Sequence, residues 1–332
     1  MSEKGGIWLL GEFDARRRIS GPTLHLFSRG ESLAAASSHI MSAIFIGSEI
    51  AAQIRSCERR LPQRTYICED STYAEYEPEL YTQALVNVCE EYQPDVFLAA
   101  HTTCGQELLS RLAARLGEQI VTDCIELDFD PNTGSLLMTK PIYGGNAIAV
   151  FASNTSPRLA TVRARTSLLE ASPAEETELI FLDSPLPPDA PKVKRIGFRQ
   201  ERDERARLED AEIIVSGGRG IGGGQGFQLL HELAEVVGGA VGASRPPCDM
   251  RWVSSGSQVG LTGRSVAPRA YFAVAISGMM QHITGMFESQ HVIAINKDKD
   301  ANIFKMADYG VVGDYKEVLP ALAKKLKTIR NS

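Results

Sequence analysis

Residues 211–237 read AEIIVSGGRGIGGGQGFQLLHELAEVV, and this stretch decides the fold. A short apolar run at 211–215 leads into a glycine-rich turn at 216–224, and a helix with an apolar stripe follows at 227–237. Strand, turn and helix in this order are typical of a parallel α/β sheet. The N–H groups of such a turn and the positive helix end favour an anion. The turn contains neither Gly-Lys-Ser/Thr nor a good G-x-G-x-x-G, so a nucleotide site and a flexible loop both stay open.

Similar apolar runs flank this stretch on both sides. They are continuous rather than alternating, which is typical of parallel strands buried on both faces. In the N-terminal half we expect strands at 7–10, at 42–46 and within 93–100. We expect helices there at 77–92 and at 106–116. Residues 124–163 indicate shorter strands joined by turns. In the C-terminal half we expect two further strands and a basic helix, at 270–276, 291–296 and 318–329.

The chain is long enough for two domains. Its 332 residues exceed the usual 100–200 residues of one domain. We predict an N-terminal α/β domain at 1–190, a linker at 191–209 and a second domain at 210–332. The linker is indicated by the proline-rich stretch 184–191 and by the charge run 199–209, which is typical of a solvated face. The predicted fold class is α/β, with a mainly parallel sheet flanked by helices in each domain.

Composition excludes several kinds of protein. With 41 acidic and 35 basic residues the net charge is −6, which disfavours nucleic-acid binding. No apolar run approaches the ~20 residues of a membrane helix, and the N-terminus does not resemble a secretory signal. The six cysteines form no C-x-x-C pair and are typical of reduced core residues. His101, Cys104, Asp123 and Cys124 lack the spacing of a known metal site, so no metal is predicted.

Polar and glycine residues follow the apolar runs of the second half at six places. In open α/β sheets, ligands bind at the carboxyl ends of the strands. One such turn means little, but six within about a hundred residues indicate a nucleotide-cofactor domain. The six segments are SGGRG at 216–220, GASRP at 242–246, QVGLTG at 258–263, AISGMMQH at 275–282, IAINKD at 293–298 and ADYGVVGD at 307–314.

These six segments, in this order, closely resemble the α subunit of electron transfer flavoproteins. The first half resembles the same family less sharply, through GIWLLGE at 6–12, RLAARLG at 111–117 and TKPIYGGNA at 139–147. The resemblance therefore covers nearly the whole chain. It implies a second domain of Rossmann-like, deoxyhypusine-synthase-like type that binds FAD. It also implies a β subunit as partner and a second domain that is mobile on the linker. Because the turns of the first domain lack a phosphate-loop signature, we expect that domain to bind no cofactor and to dock to the β subunit.

The resemblance also assigns residues to the cofactor. The positions that fall on flavin contacts are Arg219, Ser244, Arg245, Val259, Gly260, Leu261, Thr262, Ser277, Gly278, Met279, Met280, Gln281, His282, Asn296, Asp314 and Tyr315. Among them Arg245, Thr262 and His282 are expected near the isoalloxazine ring. The Thr262 hydroxyl would bond flavin N5, and the charge of Arg245 would stabilise the reduced anion. His282 would donate to the C2 carbonyl and could add a pH dependence.

Three positions depart from the family pattern. Leu261 replaces a usual Gln, Arg251 a common Gly and Asn302 a usual Pro. These departures bear on the flavin potential, the flavin affinity and the choice of partners.

The function implied is that of an electron carrier with no catalytic residue. The carrier would relay single electrons from flavin dehydrogenases, such as the acyl-CoA dehydrogenases of fatty acid β-oxidation, to a quinone oxidoreductase. A bacterial cytoplasm is expected in preference to a mitochondrial matrix. One alternative is the α subunit of an NADH-oxidising, electron-bifurcating complex. Another is an NAD-binding enzyme of the deoxyhypusine-synthase type, for which Lys297 and Lys299 would be the candidate lysines.

Overall fold

The protein is described by a computed structural model. It covers residues 4–14, 17–37, 39–57, 61–143, 147–153, 155–163, 177–183, 196–197, 208 and 211–330. Apart from two short segments, the chain divides into two compact units between Arg199 and Gln200. The predicted linker at 191–209 lies almost entirely outside the described residues, as does the proline-rich stretch 184–191.

The first unit contains two sheets. Its strands among the described residues are β1 (Ile7–Gly11), β2 (Met41–Gly47), β3 (Arg64–Glu69), β4 (Val96–Ala100), β5 (Ile120–Cys124), β6 (Glu126–Phe129), β7 (Leu136–Ile142), β8 (Ala147–Ser153), β9 (Arg158–Val162) and β10 (Glu178–Phe181). Seven of them form a parallel sheet in the order β10-β3-β2-β1-β4-β9-β5. Strands β6, β7 and β8 form an antiparallel sheet. The expectation of short strands within 124–163 is therefore confirmed.

Helices cover the parallel sheet of the first unit. They are α1 (Gly21–Ser37), α2 (Ala51–Arg55), α3 (Pro78–Tyr92) and α4 (Thr103–Leu116). The two helices predicted from apolar stripes are present as α3 and α4. Helix α4 begins earlier than predicted because the Thr102 side chain accepts a hydrogen bond from the N–H of Gly105 and caps its first turn. Helix α1 was not predicted.

The second unit is built on a five-stranded parallel sheet. Its strands are β11 (Ile213–Gly217), β12 (Ala240–Ala243), β13 (Ala270–Val274), β14 (His291–Asn296) and β15 (Tyr309–Val312), and its helices are α5 (Phe227–Val237), α6 (Arg245–Asp249), α7 (Met280–Ile283) and α8 (Tyr315–Arg330). The strand order is β12-β11-β13-β14-β15, and every neighbouring pair is parallel. The predicted α/β class, with mainly parallel sheets flanked by helices, is confirmed in both units.

The strand order of the second unit locates a binding edge. Strand β11 is the first strand of the second unit in sequence, and its two neighbours β12 and β13 lie on opposite sides of it. Connections that leave a parallel sheet in opposite directions open a crevice at the carboxyl ends of its strands, where ligands bind. Here the crevice is expected at the ends of β11 and β13, after Gly217 and Val274.

Among the described residues, no helix is both long and apolar enough to span a bilayer.

Candidate functional site

The glycine-rich turn begins where β11 ends. The N–H of Gly218 donates to the carbonyl of Val274 at 2.9 Å, which fixes the turn against the end of β13. Arg219 is exposed on the turn, and α5 begins at Phe227. From behind, the hydroxyl of Tyr315 donates to the carbonyl of Ile221 at 2.8 Å. Tyr315 is buried, so the structure places it as a support beneath the turn rather than on its surface.

The segment 258–263 lies against the segment 281–282. The N–H of Leu261 donates to the carbonyl of Gln281 at 2.7 Å. Gly260 has φ +143°, and a Cβ there would stand 2.6 Å from the same carbonyl, so only glycine allows this approach. Thr262 and Leu261 are exposed at the tip. The Thr262 hydroxyl accepts a hydrogen bond from the Gln258 amide at 2.9 Å and keeps its own hydrogen for a further acceptor.

The turn after β13 carries backbone strain. Ala275 adopts φ +53°, a left-handed conformation that is unfavourable for a residue with a Cβ. Strain of this kind is concentrated at binding sites. Neighbouring segments hold the turn in place: Asn296 Nδ2 donates to the carbonyl of Ile276 at 2.9 Å, and the N–H of Ile303 donates to the carbonyl of Ser277 at 3.2 Å. The predicted residue Asn296 therefore acts on the backbone of the turn.

Burial divides the predicted site residues into two groups. The exposed group offers guanidinium, hydroxyl, amide, carboxylate and apolar side chains, on Arg219, Arg245, Leu261, Thr262, Ser277, Met279, Met280, Gln281 and Asp314. The buried group lies beneath them and comprises Ser244, Val259, Gly260, Gly278, His282 and Tyr315, while Asn296 is half-buried. Whether the exposed side chains contact a flavin stays a prediction.

His282 is buried, and both its ring nitrogens are engaged within the unit. Nδ1 lies 3.0 Å from the carbonyl oxygen of Val259, and Nε2 lies 3.0 Å from the hydroxyl of Tyr271. Burial, opposed in part by the hydrogen bond to Val259, lowers the pKa of His282 to about 4. The imidazole is therefore neutral at physiological pH. A pH dependence near neutrality is not expected from this ring, and in this arrangement neither nitrogen is available as a donor to a flavin carbonyl.

Arg245 and Asp314 are tied to surface groups. Arg245 Nε donates to Asp249 at 3.2 Å, and both side chains are more than half exposed. Asp314 accepts a hydrogen bond from the N–H of Lys316 at 2.9 Å and so caps α8. The lysines considered for a deoxyhypusine-synthase reaction, Lys297 and Lys299, are exposed on the turn after β14.

In the group of residues considered for a metal, Asp123 is bound by an arginine instead. The guanidinium of Arg163 donates from Nε and Nη2 to the two oxygens of Asp123, at 2.7 and 2.6 Å. His101 Nδ1 bonds the hydroxyl of Thr161 at 2.8 Å. Within the part of the chain that the structure describes, no group of three or more His, Cys, Asp or Glu residues is arranged to hold a metal.

Sequence reasoning missed the polar residues beneath the site. Tyr271 on β13 is fully buried and bonds His282, and Ser216 at the end of β11 is fully buried as well. The available signal was a tyrosine inside a strand buried on both faces, because a buried phenol needs a hydrogen-bond partner. The sequence pattern of a strand does not show which residue is the hydrogen-bond partner of that tyrosine.

The exposed group suits a dinucleotide with an aromatic ring. Methionines 279 and 280 offer polarisable apolar contacts, and the hydroxyls of Thr262 and Ser277 can bond the polar edge of a ring. Guanidinium groups and the N–H groups of a glycine-rich turn suit phosphate oxygens. The residues present at the edge of the sheet therefore fit FAD.

Comparison with known proteins agrees with this geometry. A family model described as the electron transfer flavoprotein domain matches residues 7–180, and one described as the electron transfer flavoprotein FAD-binding domain matches residues 207–287. The chain is 35% identical over 334 residues to the electron transfer flavoprotein subunit alpha of Thermoanaerobacterium thermosaccharolyticum, a match that covers 99% of this chain and 100% of that protein. It is 34% identical over 332 residues to the subunit of the same name from Megasphaera elsdenii, covering 98% of each.

A third relative has a different name. Protein FixB of Clostridium saccharobutylicum is 33% identical over 325 residues, covering 98% of this chain and 97% of that protein. Two family models and full-length relatives thus agree on both halves of the sequence. The chain belongs to the electron transfer flavoprotein α subunit family, and its second unit is the FAD-binding domain of that family.

Proposed function

We propose that this chain carries the FAD of an α/β heterodimer and relays electrons one at a time. The donors would be flavin dehydrogenases of the acyl-CoA dehydrogenase type, and the acceptor a quinone oxidoreductase. The observation that carries the proposal is the exposed donor set at the ends of β11 and β13, with His282 held neutral beneath it. Such a site can bind and tune a cofactor, whereas a buried ring with both nitrogens engaged is a poor general base.

Bound FAD supplies the redox chemistry, and the residues of this chain would tune it. The Thr262 hydroxyl offers a donor that can follow a change of protonation at the ring. Arg245 offers a permanent positive charge that stabilises negative charge gained on reduction. Asn296 holds the carbonyl of Ile276 and so keeps the turn after β13 in place. None of these roles requires bond cleavage in a substrate.

The antiparallel sheet of the first unit offers a docking face for the β subunit that the family implies. On β8, Ile148 and Val150 point to the same side and are 55% and 60% exposed. Their partners on β7, Pro141 and Thr139, complete that face. Adjacent apolar side chains left in water favour burial against a partner. We assign this face to the β subunit.

A reducing, cytoplasm-like compartment fits the cysteines. All six are free thiols, and Cys68, Cys89, Cys124 and Cys248 are buried. Burial raises the pKa of the Cys89 and Cys124 thiols to about 12, which keeps them protonated and unreactive. Together with the bacterial relatives, this favours a bacterial cytoplasm as the proposed compartment.

The test is purification of this chain with its β subunit, followed by flavin counting and stepwise reduction. One FAD per heterodimer, reduced by an acyl-CoA dehydrogenase and not by NADH, is expected. A second FAD together with bleaching by NADH would instead assign the complex to the electron-bifurcating members of the family. A complex that contains no flavin under native conditions would refute the proposal.

A further inference from the structure

Two buried polar side chains of the second unit, Tyr271 and His282, form a hydrogen-bonded chain that ends on the segment 258–263. Ser216 is the last residue but one of β11, and Tyr271 lies on the neighbouring strand β13, on the same face of the sheet. The hydroxyl of Tyr271 lies 3.0 Å from His282 Nε2, and His282 Nδ1 lies 3.0 Å from the carbonyl oxygen of Val259. Ser216 and Tyr271 are 0% exposed, so neither is placed to touch a ligand.

The direction of each hydrogen bond follows from the groups involved. The carbonyl of Val259 can only accept, so the hydrogen of the neutral imidazole is on Nδ1. Nε2 is then an acceptor, and the Tyr271 hydroxyl must be its donor. Burial raises the pKa of Tyr271, and the nearby Ser216 hydroxyl opposes this rise in part, although it makes no hydrogen bond of standard geometry.

This chain determines where the segment 258–263 lies. Val259 is fixed at both ends of its peptide, because its N–H donates to the carbonyl of Ala243 at 2.9 Å and its own carbonyl accepts from His282. The next two residues are fixed in turn, Gly260 to Arg264 at 3.1 Å and Leu261 to Gln281 at 2.7 Å. A rotation of the imidazole would release the Val259 carbonyl and let the tip with Thr262 shift.

We propose that Tyr271 is a positioning residue of the FAD site, which acts through the tautomer and orientation of His282 on the carbonyl of Val259. Ser216 lies on the same face of the neighbouring strand, outside this hydrogen-bonded chain. The inference rests on the proposed placement of the flavin at the segment 258–263. It gives Tyr271, a fully buried strand residue, a part in setting the affinity for the cofactor and its potential.

Tyr271→Phe in the FAD-loaded α/β heterodimer tests the inference, because it removes the hydroxyl and keeps the aromatic packing. Nitrogen-15 spectra of the histidine side chains should show His282 in the wild type with a pyrrole-type Nδ1 and a hydrogen-bonded pyridine-type Nε2. In the variant we expect the Nε2 signal to shift and the Kd for FAD to rise about ten-fold, as a lost buried hydrogen bond would give. The flavin midpoint potential should shift as well.

Two further variants keep the test decisive. Tyr92→Phe alters a buried tyrosine of the first unit and should leave FAD affinity and the His282 signals unchanged, whatever it does to the Tm. Ser216→Ala should change the His282 signals and the Kd in the same direction as Tyr271→Phe, but less. Ser216→Ala is the variant to measure if Tyr271→Phe does not fold.

The outcomes separate this inference from the placement of the flavin. Thr262→Ala reports on that placement. If Thr262→Ala alters the flavin spectrum while Tyr271→Phe leaves Kd and potential unchanged, the positioning role is wrong and the placement stands. If neither variant alters the flavin, the placement fails and the inference fails with it. A rise in Kd without any change in the His282 signals would also overturn the role proposed for Tyr271.

Discussion

The hydroxyl of Thr102 lies 2.8 and 2.9 Å from the two carboxylate oxygens of Glu12. Glu12 directly follows β1, and Thr102 caps α4 after β4, so the contact joins the carboxyl ends of two adjacent strands. The N–H of Glu12 also donates to the Thr23 hydroxyl at 2.9 Å. A carboxyl group thus occupies the position in the first unit where open parallel sheets usually bind ligands.

Glu12 should make stability depend on pH. Burial, opposed by the hydrogen bond from Thr102, raises its pKa from 4.5 to about 7. Between about pH 4.5 and 7 the Glu12 carboxyl group is therefore protonated in the folded state and ionised in the unfolded chain. The contribution of the protonated Glu12 to the unfolding free energy is complete below about pH 4.5. It decreases as pH rises and is lost above about pH 7. We expect a loss of at most about 3.5 kcal/mol in unfolding free energy across this range, since one pKa unit corresponds to about 1.4 kcal/mol.

Urea unfolding between pH 5 and 8 measures this effect. Glu12→Gln mimics the protonated acid and should flatten this part of the pH profile. Glu126→Gln, which alters an exposed carboxyl on β6, should keep the wild-type profile. Equal slopes for the wild type and Glu12→Gln would contradict the assignment.

Elements with a strong apolar period were predictable from sequence. Helix α3 starts at Pro78 as expected, and its stripe residues Leu85 and Val88 are buried. Helix α5 has the predicted bounds. Helix α8 begins at Tyr315, three residues before the predicted start, because the carboxylate of Asp314 caps it. An apolar period, a proline at the helix start and a capping side chain are all local in sequence, so they are sufficient to predict such elements.

Helix α1 and the interior of the site depend on contacts distant in sequence. The buried face of α1 alternates apolar side chains with Thr23, His25 and Gly30, which interrupt its apolar stripe. Gly30 packs on Leu9, where a Cβ would stand 2.7 Å from a methyl carbon, so the helix is specified by its fit to β1. Likewise, the motif order located the binding edge, but only the fold shows that His282 points inward.

Gly278 should be intolerant of a side chain. It has φ +83°, and a Cβ there would overlap the backbone nitrogen of Ile303. Gly222 also has φ +83° but has no atom within 4 Å of a built Cβ, so Gly222→Ala measures the backbone strain alone. We expect Gly222→Ala to cost about 1 kcal/mol and Gly278→Ala about 3 kcal/mol or more in unfolding free energy. Urea unfolding followed by circular dichroism measures both, and equal losses would show that the overlap has no cost.

The β8 face should govern association with the β subunit. Val150→Glu puts a charge among Ile148 and Pro141, and a buried unpaired charge is costly. We expect the Kd for the β subunit to rise at least about ten-fold with FAD affinity kept. Phe181→Glu on β10, where the phenylalanine is 50% exposed, is the matched control and should leave the Kd unchanged. Sedimentation or calorimetric titration gives both values, and an unaltered Kd for Val150→Glu would place the interface elsewhere.

The charge of Arg245 should raise the potential of the bound flavin. A guanidinium near the ring stabilises the negative charge that reduction adds, so Arg245→Gln should lower the midpoint potential. A loss of about 1.4 kcal/mol corresponds to about 59 mV for one electron, and we expect a decrease of about this size because the side chain is well solvated.

Two controls fix the sign and the location of this charge effect. Arg269→Gln removes the same charge beside Glu212, at the amino ends of β11 and β13 and so at the opposite edge of the sheet. It should leave the potential nearly unchanged, because charges beyond about 10 Å are screened at 0.1 M salt. Asp249→Asn removes the negative partner of Arg245 and should raise the potential. Spectroelectrochemical titration measures all three variants, and a decrease with Asp249→Asn would show that Arg245 does not act on the flavin through its charge.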